Sequence, residues 1–135
     1  MPKVSGSCLC GSVSFEGEGD IAVMANCHCT DCQKATGAAF AAMTFFKEDD
    51  ISISGELNSY EHVADSGSRM TKLGCPKCGS PMFGKNTARA GMIAVRAGAM
   101  DQKELFQPMV NVYCSSAIPS TALNGDLKNF DKMPG

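Results

Sequence analysis

The sequence predicts a mainly β fold with one or two short helices, and two observations favour this class. Apolar and polar residues alternate in GSVSFEG, where Val13 and Phe15 are apolar, and in DISISGEL, where Ile51 and Ile53 are. Period-2 alternation is typical of strands with one buried face. The more continuous apolar stretches GAAFAAMTFF, GMIAVRAG and PMVNVYC are short and end at glycine, proline or polar residues, which favours further strands.

Two segments have helical character, each about two turns long. The first is TDCQKATG, where Thr30 or Asp31 can cap the start and Gly37 can end the helix, and the second is MDQKELF. Between them, SYEHVADSGSRM predicts a strand followed by a Ser/Gly turn. The tail STALNGDLKNFDKMPG has little periodicity and ends in Pro-Gly.

Length and charge narrow the functional classes. The 135 residues fit a single domain over residues 1–135. The net charge is -2 and the lysines and arginines are scattered singly, so we expect no nucleic-acid partner. The first residues lack the apolar run of a signal peptide, and no stretch approaches the roughly 20 apolar residues of a membrane span. We therefore expect a cytoplasmic protein without a membrane partner.

The chain contains eight cysteines, and the expected cytoplasmic location decides how they are interpreted. Thiols are kept reduced in the cytoplasm, so metal binding or catalysis is a better explanation for them than disulfides. Seven of them fall into three tight groups, CLCG, CHCTDC and CPKCG, and only Cys114 stands alone.

Cys75 and Cys78 in CPKCG form the strongest metal-binding motif. Two thiolates three positions apart on a turn can hold one tetrahedral ion, and Gly79 is free to adopt the positive φ that such a turn requires. A closed site needs two more ligands, which Cys8 and Cys10 in CLCG can provide. We predict a four-thiolate structural zinc site that couples metal binding to folding.

Cys27, Cys29 and Cys32 in CHCTDC remain as a group of three thiolates. Structural zinc usually has four protein ligands, whereas catalytic zinc commonly has three and keeps a position open for water or substrate. The group therefore predicts an open, catalytic zinc site. Three thiolates make the zinc a weaker Lewis acid than three histidines would, and they suit a soft thiol ligand.

Other interpretations of this second group stay open. His28 lies between two ligands, where its side chain tends to point away from their shared ion. Cys114 or His62 would close the site by adding a fourth ligand, although a lone cysteine is more often a small core residue. The group is also compatible with a metal-free redox pair. A non-catalytic module with two structural zinc sites is the main alternative to an enzyme.

The order CLCGSVSF, CHCTDCQKATGAAF, CPKCGSPMF and VNVYCSSAIPS resembles the glutathione-dependent formaldehyde-activating enzyme family, which includes centromere protein V, over roughly residues 5–120. The resemblance implies a β-tent of small antiparallel sheets around zinc sites, with the same division of cysteines between a structural and a catalytic zinc. It also implies a carbon-sulfur lyase that joins formaldehyde to glutathione, giving S-hydroxymethylglutathione, and runs the reverse cleavage. Zinc, at two ions per chain, and glutathione are the implied cofactor and co-substrate.

The chain departs from the family pattern at positions that bear on the substrate. Asn111 and Ser120 stand where many members carry a histidine and a tryptophan, and Gly74 stands where an aromatic residue is common. The metal ligands are intact. Glutathione has two carboxylates, and four isolated cations are candidates to bind them: Lys34, Arg69, Lys72 and Arg96. We expect each of these side chains to be a solvated surface charge.

Overall fold

The computed structural model describes residues 2–123 and 125–133. Within this part of the chain, α1 (Thr30–Thr36) is the one α-helix, and none of the helices is long and apolar enough to cross a membrane. The strands are β1 (Lys3–Ser7), β2 (Ser14–Glu18), β3 (Val23–Cys27), β4 (Ala41–Lys47), β5 (Ile51–Ser54), β6 (Asn58–Val63), β7 (Arg69–Gly74), β8 (Pro81–Asn86), β9 (Met92–Arg96), β10 (Val110–Val112) and β11 (Lys128–Asn129). Short 3-10 turns cover Glu48–Asp50, Thr87–Arg89, Ala97–Ala99, Lys103–Leu105 and Cys114–Ser116.

The mainly β class with a short helix is confirmed. The alternating and apolar stretches contribute β2, β5, β4, β9 and β10. SYEHVADSGSRM forms the β6–β7 hairpin, whose turn is closed by the hydrogen bond from the Ala64 amide to the Ser68 carbonyl oxygen. The tail contributes the short strand β11, and its residues 124, 134 and 135 lie outside the described part.

The prediction of a second helix at MDQKELF is wrong. Only a single 3-10 turn forms there, at Lys103–Leu105. The preceding residues are committed to β1 instead, because the Asp101 amide donates to the Ser5 carbonyl oxygen and Gln102 Oε1 accepts from the Ser5 amide. Pro108 then disfavours helical backbone at the residue before it. The segment is therefore hydrogen-bonded to β1, an edge strand, and does not form a helix.

The strands form two sheets. A three-stranded antiparallel sheet has the order β1-β2-β5, and an eight-stranded sheet has the order β11-β10-β3-β4-β9-β8-β7-β6. The larger sheet is antiparallel from β3 to β6, but β10 pairs in parallel with both β3 and β11. Parallel neighbours need a crossover rather than a tight turn, and a long stretch of chain separates β10 from β3 and from β11.

The larger sheet separates the core from a cavity. On β4 and β9, Phe46, Ile93 and Val95 face the core, where they pack with residues of the smaller sheet such as Phe15. The ring of Phe15 meets that of Phe83 edge to face, with centroids 5.7 Å apart. Because successive strand residues point to opposite faces, the alternate positions of the same strands line the cavity.

Gly6 on β1 forms an isolated antiparallel β-bridge with Met100, which follows β9 and the 3-10 turn Ala97–Ala99. A Cβ atom at Gly6 would collide with the carbonyl oxygen of Ala99 and would lie 2.6 Å from the Phe15 ring. No larger side chain fits at this contact.

Candidate metal centres and the adjoining cavity

The first metal centre joins the two sheets. Its four sulfur atoms all lie within 4.8 Å of one another. Two of them come from the β1–β2 connection and two from the β7–β8 turn, where Gly11 (φ 83°) and Gly79 (φ 76°) adopt the left-handed conformation that glycine allows. The members of this group, which we call the four-cysteine centre, are Cys8, Cys10, Cys75 and Cys78.

The sulfur spacing of the four-cysteine centre fits zinc. Cys10 Sγ lies 3.7 Å from the sulfur atoms of both Cys8 and Cys75. With Zn–S bonds of about 2.3 Å, the sulfurs of a tetrahedral site are about 3.8 Å apart. The amide of Val13 donates to Cys8 Sγ, and the amide of Cys78 donates to Cys75 Sγ, which stabilises thiolates. These residues can therefore hold a zinc ion with all four positions filled.

Hydroxyl groups beside this centre favour its thiolate form. The hydrogen bond with the Ser80 hydroxyl lowers the pKa of Cys78 to about 5. The hydrogen bond with Ser12 lowers the pKa of Cys10 in the same way. Since a metal binds the thiolate and not the thiol, both shifts favour metal binding.

The second centre has three sulfur atoms, those of Cys27, Cys29 and Cys32, which also lie within 4.8 Å of one another. We call it the cysteine triad. Cys27 ends β3, Cys29 precedes α1, and Cys32 lies in the first turn of that helix. The strand end and the helix start thus bring three sulfurs from six residues to one point.

Cys29 also caps the helix, which corrects one prediction. The helix begins at Thr30, and Cys29 Sγ accepts the hydrogen bond from the Cys32 amide at 3.3 Å, so neither Thr30 nor Asp31 is the N-cap. Cys29 has the extended backbone of a capping residue, and its sulfur supplies the acceptor that the first helical amides need. Gly37 ends the helix in the left-handed conformation, as predicted.

Charge in the triad is concentrated on one sulfur. Hydrogen bonds from the thiols of Cys27 and Cys32 lower the pKa of Cys29, and the positive charge of Lys72 lowers it further. The hydrogen bonds of Cys27 with Cys29 and with Cys32 raise the pKa of Cys27, and burial raises it further. Lys72 on β7 therefore supplies positive charge next to the thiolates.

The structure places the other candidate ligands outside the triad. His28 is buried, and its Nε2 lies 3.0 Å from Asn111 Oδ1. Cys114 lies in the last 3-10 turn, where its amide donates to the carbonyl oxygen of Phe130. His62 lines the cavity, with Nδ1 3.8 Å from Asp31 Oδ2. Among the described residues, neither cysteine group includes any of the three.

A cavity of about 700 Å³ opens beside the triad. It lies on the face of the eight-stranded sheet opposite the core, and all three triad cysteines line it. Most of its wall is apolar, including Val23, Ala25, Met43, Phe45, Met70, Met92, Ala94 and Val110. A cavity of this size accommodates a small organic molecule.

Tyr113 also lines the cavity, and sequence reasoning did not find it. It packs beside Cys27 and Cys32, and its φ of 57° makes it the one non-glycine residue with positive φ in the described part of the chain. Burial raises the pKa of its phenol, and the negative charge of the cysteines adds to the effect. No local pattern around Tyr113 indicates this placement, because it depends on the parallel pairing of β10 with β3.

The four candidate cations differ in exposure. Lys34 and Arg69 are exposed, as expected, and Arg69 lies 3.7 Å from Glu61. Lys72 is half-buried on the cavity wall. The expectation for Arg96 is wrong, since this side chain is only 8% exposed. It ends β9, which lies inside the sheet between β4 and β8, and it lines both the triad cavity and a neighbouring one that Phe40 and Ala42 also line.

The sequence profile of the glutathione-dependent formaldehyde-activating enzymes matches residues 3–116. The chain belongs to this family. Proteins of Aspergillus flavus and Aspergillus oryzae, provisionally named glutathione-dependent formaldehyde-activating enzymes, are each 26% identical over 116 residues, which cover 82% of this chain and 60% of theirs. A protein of Phaeosphaeria nodorum with the same name is 28% identical over 95 residues, covering 68% of this chain and 50% of its own. The chain thus spans about half to three fifths of the length of these relatives.

A solved structure of a Rhodobacter sphaeroides protein shares the fold. Its TM-score is 0.58 at 21% sequence identity, and the match covers 77% of this chain and 96% of that one. The family resemblance is therefore confirmed by the sequence profile, and the solved structure shows a shared fold.

Proposed function

We propose that the protein is a zinc-dependent carbon-sulfur lyase that joins formaldehyde to glutathione and cleaves S-hydroxymethylglutathione. One observation carries this proposal: the triad holds three sulfur atoms, has no fourth cysteine or histidine ligand among the described residues, and opens directly onto a 700 Å³ cavity. Three protein ligands and an accessible fourth position are typical of catalytic zinc. Family membership supports the same reaction.

The two centres have different roles in this proposal. Cys8, Cys10, Cys75 and Cys78 hold a structural zinc, since two of them, Cys8 and Cys75, are part of the hydrophobic core. Cys27, Cys29 and Cys32 hold the catalytic zinc. When bound there, zinc supplies positive charge that stabilises a substrate thiolate or polarises the oxygen of the adduct.

The residues of the chain prepare the reaction around that position. In the forward direction the glutathione sulfur loses its proton and forms a bond to the aldehyde carbon, while the aldehyde oxygen gains a proton. Lys72 lowers the pKa of Cys29 and so favours negative charge on the sulfurs at this end of the cavity. The Tyr113 side chain lines the same end, where its hydroxyl can donate a hydrogen bond to the aldehyde oxygen. The apolar wall excludes water and strengthens these interactions.

Exchange spectroscopy tests the activity directly. The rate at which formaldehyde and glutathione exchange with S-hydroxymethylglutathione is measured by NMR with and without the zinc-loaded protein. Because the adduct also forms unaided, the expected result is a rate above the uncatalysed background that Cys29→Ser abolishes. Equal rates with and without protein contradict the proposal.

X-ray absorption at the zinc edge tests the coordination separately. In the zinc-loaded wild type, the average number of sulfurs per zinc lies below four if the second site has three sulfurs and equals four if it has four. We expect three sulfurs and one light-atom ligand at the triad. Four sulfurs would favour the alternative, a non-catalytic module with two structural zinc sites.

We further propose that the chain is a single domain that acts in the cytoplasm on small thiol and aldehyde molecules. All eight cysteines are free in the structure, which suits a reducing compartment.

A further inference from the structure

Arg96 is a buried cation with no hydrogen-bond or ion-pair partner for two of its nitrogens in residues 2–123 and 125–133. The side chain is 8% exposed, and both Nε and Nη1 are buried without a hydrogen-bond partner among the described residues. A guanidinium remains charged under all physiological conditions, so it cannot relieve this burial by losing its proton. A buried charge is costly unless it is paired and hydrogen-bonded. A carboxylate that entered beside this guanidinium would supply the charge and the hydrogen-bond acceptors that the described residues do not.

The register of the sheet places Arg96 in the same cavity as the triad. Arg96 pairs with Met43 on β4, and Met43 pairs with Ala25 on β3. Cys27 follows two residues after Ala25 on the same face of β3, and all four side chains line the cavity or its triad end. Neighbouring strands are about 4.8 Å apart, so Arg96 lies about 10 Å across the sheet from the triad strand. This span matches a small molecule with its sulfur at the triad.

The acidic residues of the cavity lie elsewhere. Asp31 is on α1 and lies 3.8 Å from His62, while Asp65 is an exposed residue in the β6–β7 turn. The ion pairs found in the described part of the chain do not include Arg96. The part of the chain that the structure describes therefore provides no carboxylate to this guanidinium.

The remaining cations of the cavity wall already have a role. Lys72 acts on the triad sulfurs, Lys85 pairs with Glu48, and the guanidinium of Arg89 lies 5.1 Å from the centre of the Phe45 ring. The wall next to Arg96 is formed by apolar residues such as Met43 and Ala94. An ion pair formed there is stronger than one formed in water, because the surroundings screen it less.

We propose that Arg96 binds a carboxylate of the thiol substrate whose sulfur lies at the cysteine triad. The inference rests on the proposed function for the position of the sulfur, and it deepens that function by assigning a residue that selects the substrate. The planar guanidinium forms paired hydrogen bonds with a carboxylate. The substrate is thus a small carboxylate-bearing thiol or its aldehyde adduct, as glutathione is, and not a neutral thiol such as 2-mercaptoethanol.

Calorimetric titration with S-methylglutathione tests this carboxylate subsite. This probe keeps both carboxylates but has no free thiol, so its binding does not depend on the lyase reaction. We expect zinc-loaded wild type to bind it roughly ten to a hundred times more tightly than Arg96→Gln does, in line with the loss of hydrogen bonds to a charged group. Arg96→Lys should be intermediate. Arg69→Gln is the matched control, since it removes an exposed arginine, and it should bind like wild type.

The diethyl ester of S-methylglutathione separates the carboxylate effect from folding. Wild type should prefer the acid to the ester, and Arg96→Gln should lose this preference. If Arg96→Gln does not fold, the comparison of acid and ester on wild type decides alone. Equal affinity of wild type for acid and ester, failure of wild type to bind the acid, or unchanged binding by folded Arg96→Gln would each overturn the inference. Accelerated formaldehyde exchange together with any of these results would leave the proposed lyase activity standing.

Discussion

The Nε2 atom of His28 lies 3.0 Å from Oδ1 of Asn111, and both residues are buried. The Nδ2 group of Asn111 donates to Asn129 Oδ1 at 2.8 Å, so Asn111 Oδ1 is the acceptor and His28 donates from Nε2. The backbone adds a second link, because the His28 amide donates to the Val112 carbonyl oxygen. The histidine inside the CHCTDC motif thus ties the triad loop to β10 rather than to a metal.

Asn111→Leu should therefore destabilise the protein without removing zinc. The buried Nε2–H of His28 would lose its acceptor, which costs roughly 1–3 kcal/mol. Urea denaturation of the zinc-loaded protein measures the free energy of unfolding, and chelator assays of the denatured protein count the zinc. Asn129→Ala, which changes the exposed end of the same chain of hydrogen bonds, should cost less. Loss of one zinc in Asn111→Leu would contradict the role assigned to His28.

Cys29→Ser and Cys78→Ser should separate the two metal centres. Serine is a good N-cap, so Cys29→Ser keeps the start of α1 while it removes a ligand from the triad. We expect this variant to fold and to bind one zinc instead of two. Cys78→Ser opens the centre that joins the two sheets, and it should yield little folded protein, because metal binding there is coupled to folding. Circular dichroism and zinc content check both outcomes. Equal unfolding of the two variants would refute this division.

How far the sequence predicts this site depends on whether the determining contacts are local. The triad and the two cysteine pairs were predictable because ligands within six residues meet through one turn or one helix start. The end of α1 at Gly37 was predictable for the same reason. The capping role of Cys29 was not, since Thr30 and Asp31 are better caps by residue type and only the backbone geometry decides between them.

Arg96 and β10, in contrast, are positioned by contacts between residues far apart in the sequence. GMIAVRAG is an almost continuous apolar run, so its pattern does not say which face Arg96 takes or that β9 lies inside an eight-stranded sheet. The parallel pairing of β10 with β3 joins residues about 85 positions apart, as in Val110 with Ala25. Contacts at this separation leave no local signal. The position of Tyr113 depends on this pairing, and the burial of Arg96 depends on another long-range pairing, that of β9 with β4.

Gly6→Ala should destabilise the junction between β1 and the segment that follows β9. The added Cβ would meet the Ala99 carbonyl oxygen and the Phe15 ring, and overpacking of this kind costs about 1–3 kcal/mol. Gly98→Ala is the matched control, because a Cβ there has no described atom within 4 Å. Urea denaturation should show a lower midpoint for Gly6→Ala and little change for Gly98→Ala. Equal midpoints for the two variants would show that the junction can adjust to a larger residue.

Lys72→Met should weaken zinc binding at the triad without affecting the four-cysteine centre. Lys72 is the cation whose charge lowers the pKa of Cys29, and three thiolates leave bound zinc with excess negative charge that a nearby ammonium group offsets. The lysine is half-buried, and partly exposed charge pairs contribute roughly 0.5–1 kcal/mol, so a two- to fivefold weaker affinity is expected. Methionine keeps the length of the side chain and leaves the apolar wall intact.

Competition with a chromophoric chelator measures this effect, with release of the first zinc reporting the triad and release of the second reporting the four-cysteine centre. The difference between Lys72→Met and wild type should shrink as salt is added, because screening weakens the charge interaction. Lys128→Met removes an exposed lysine on β11 and should release both ions as wild type does. If Lys72→Met also released both ions like wild type, the lysine would act on the substrate and not on the metal, and its effect would appear only in the exchange rate.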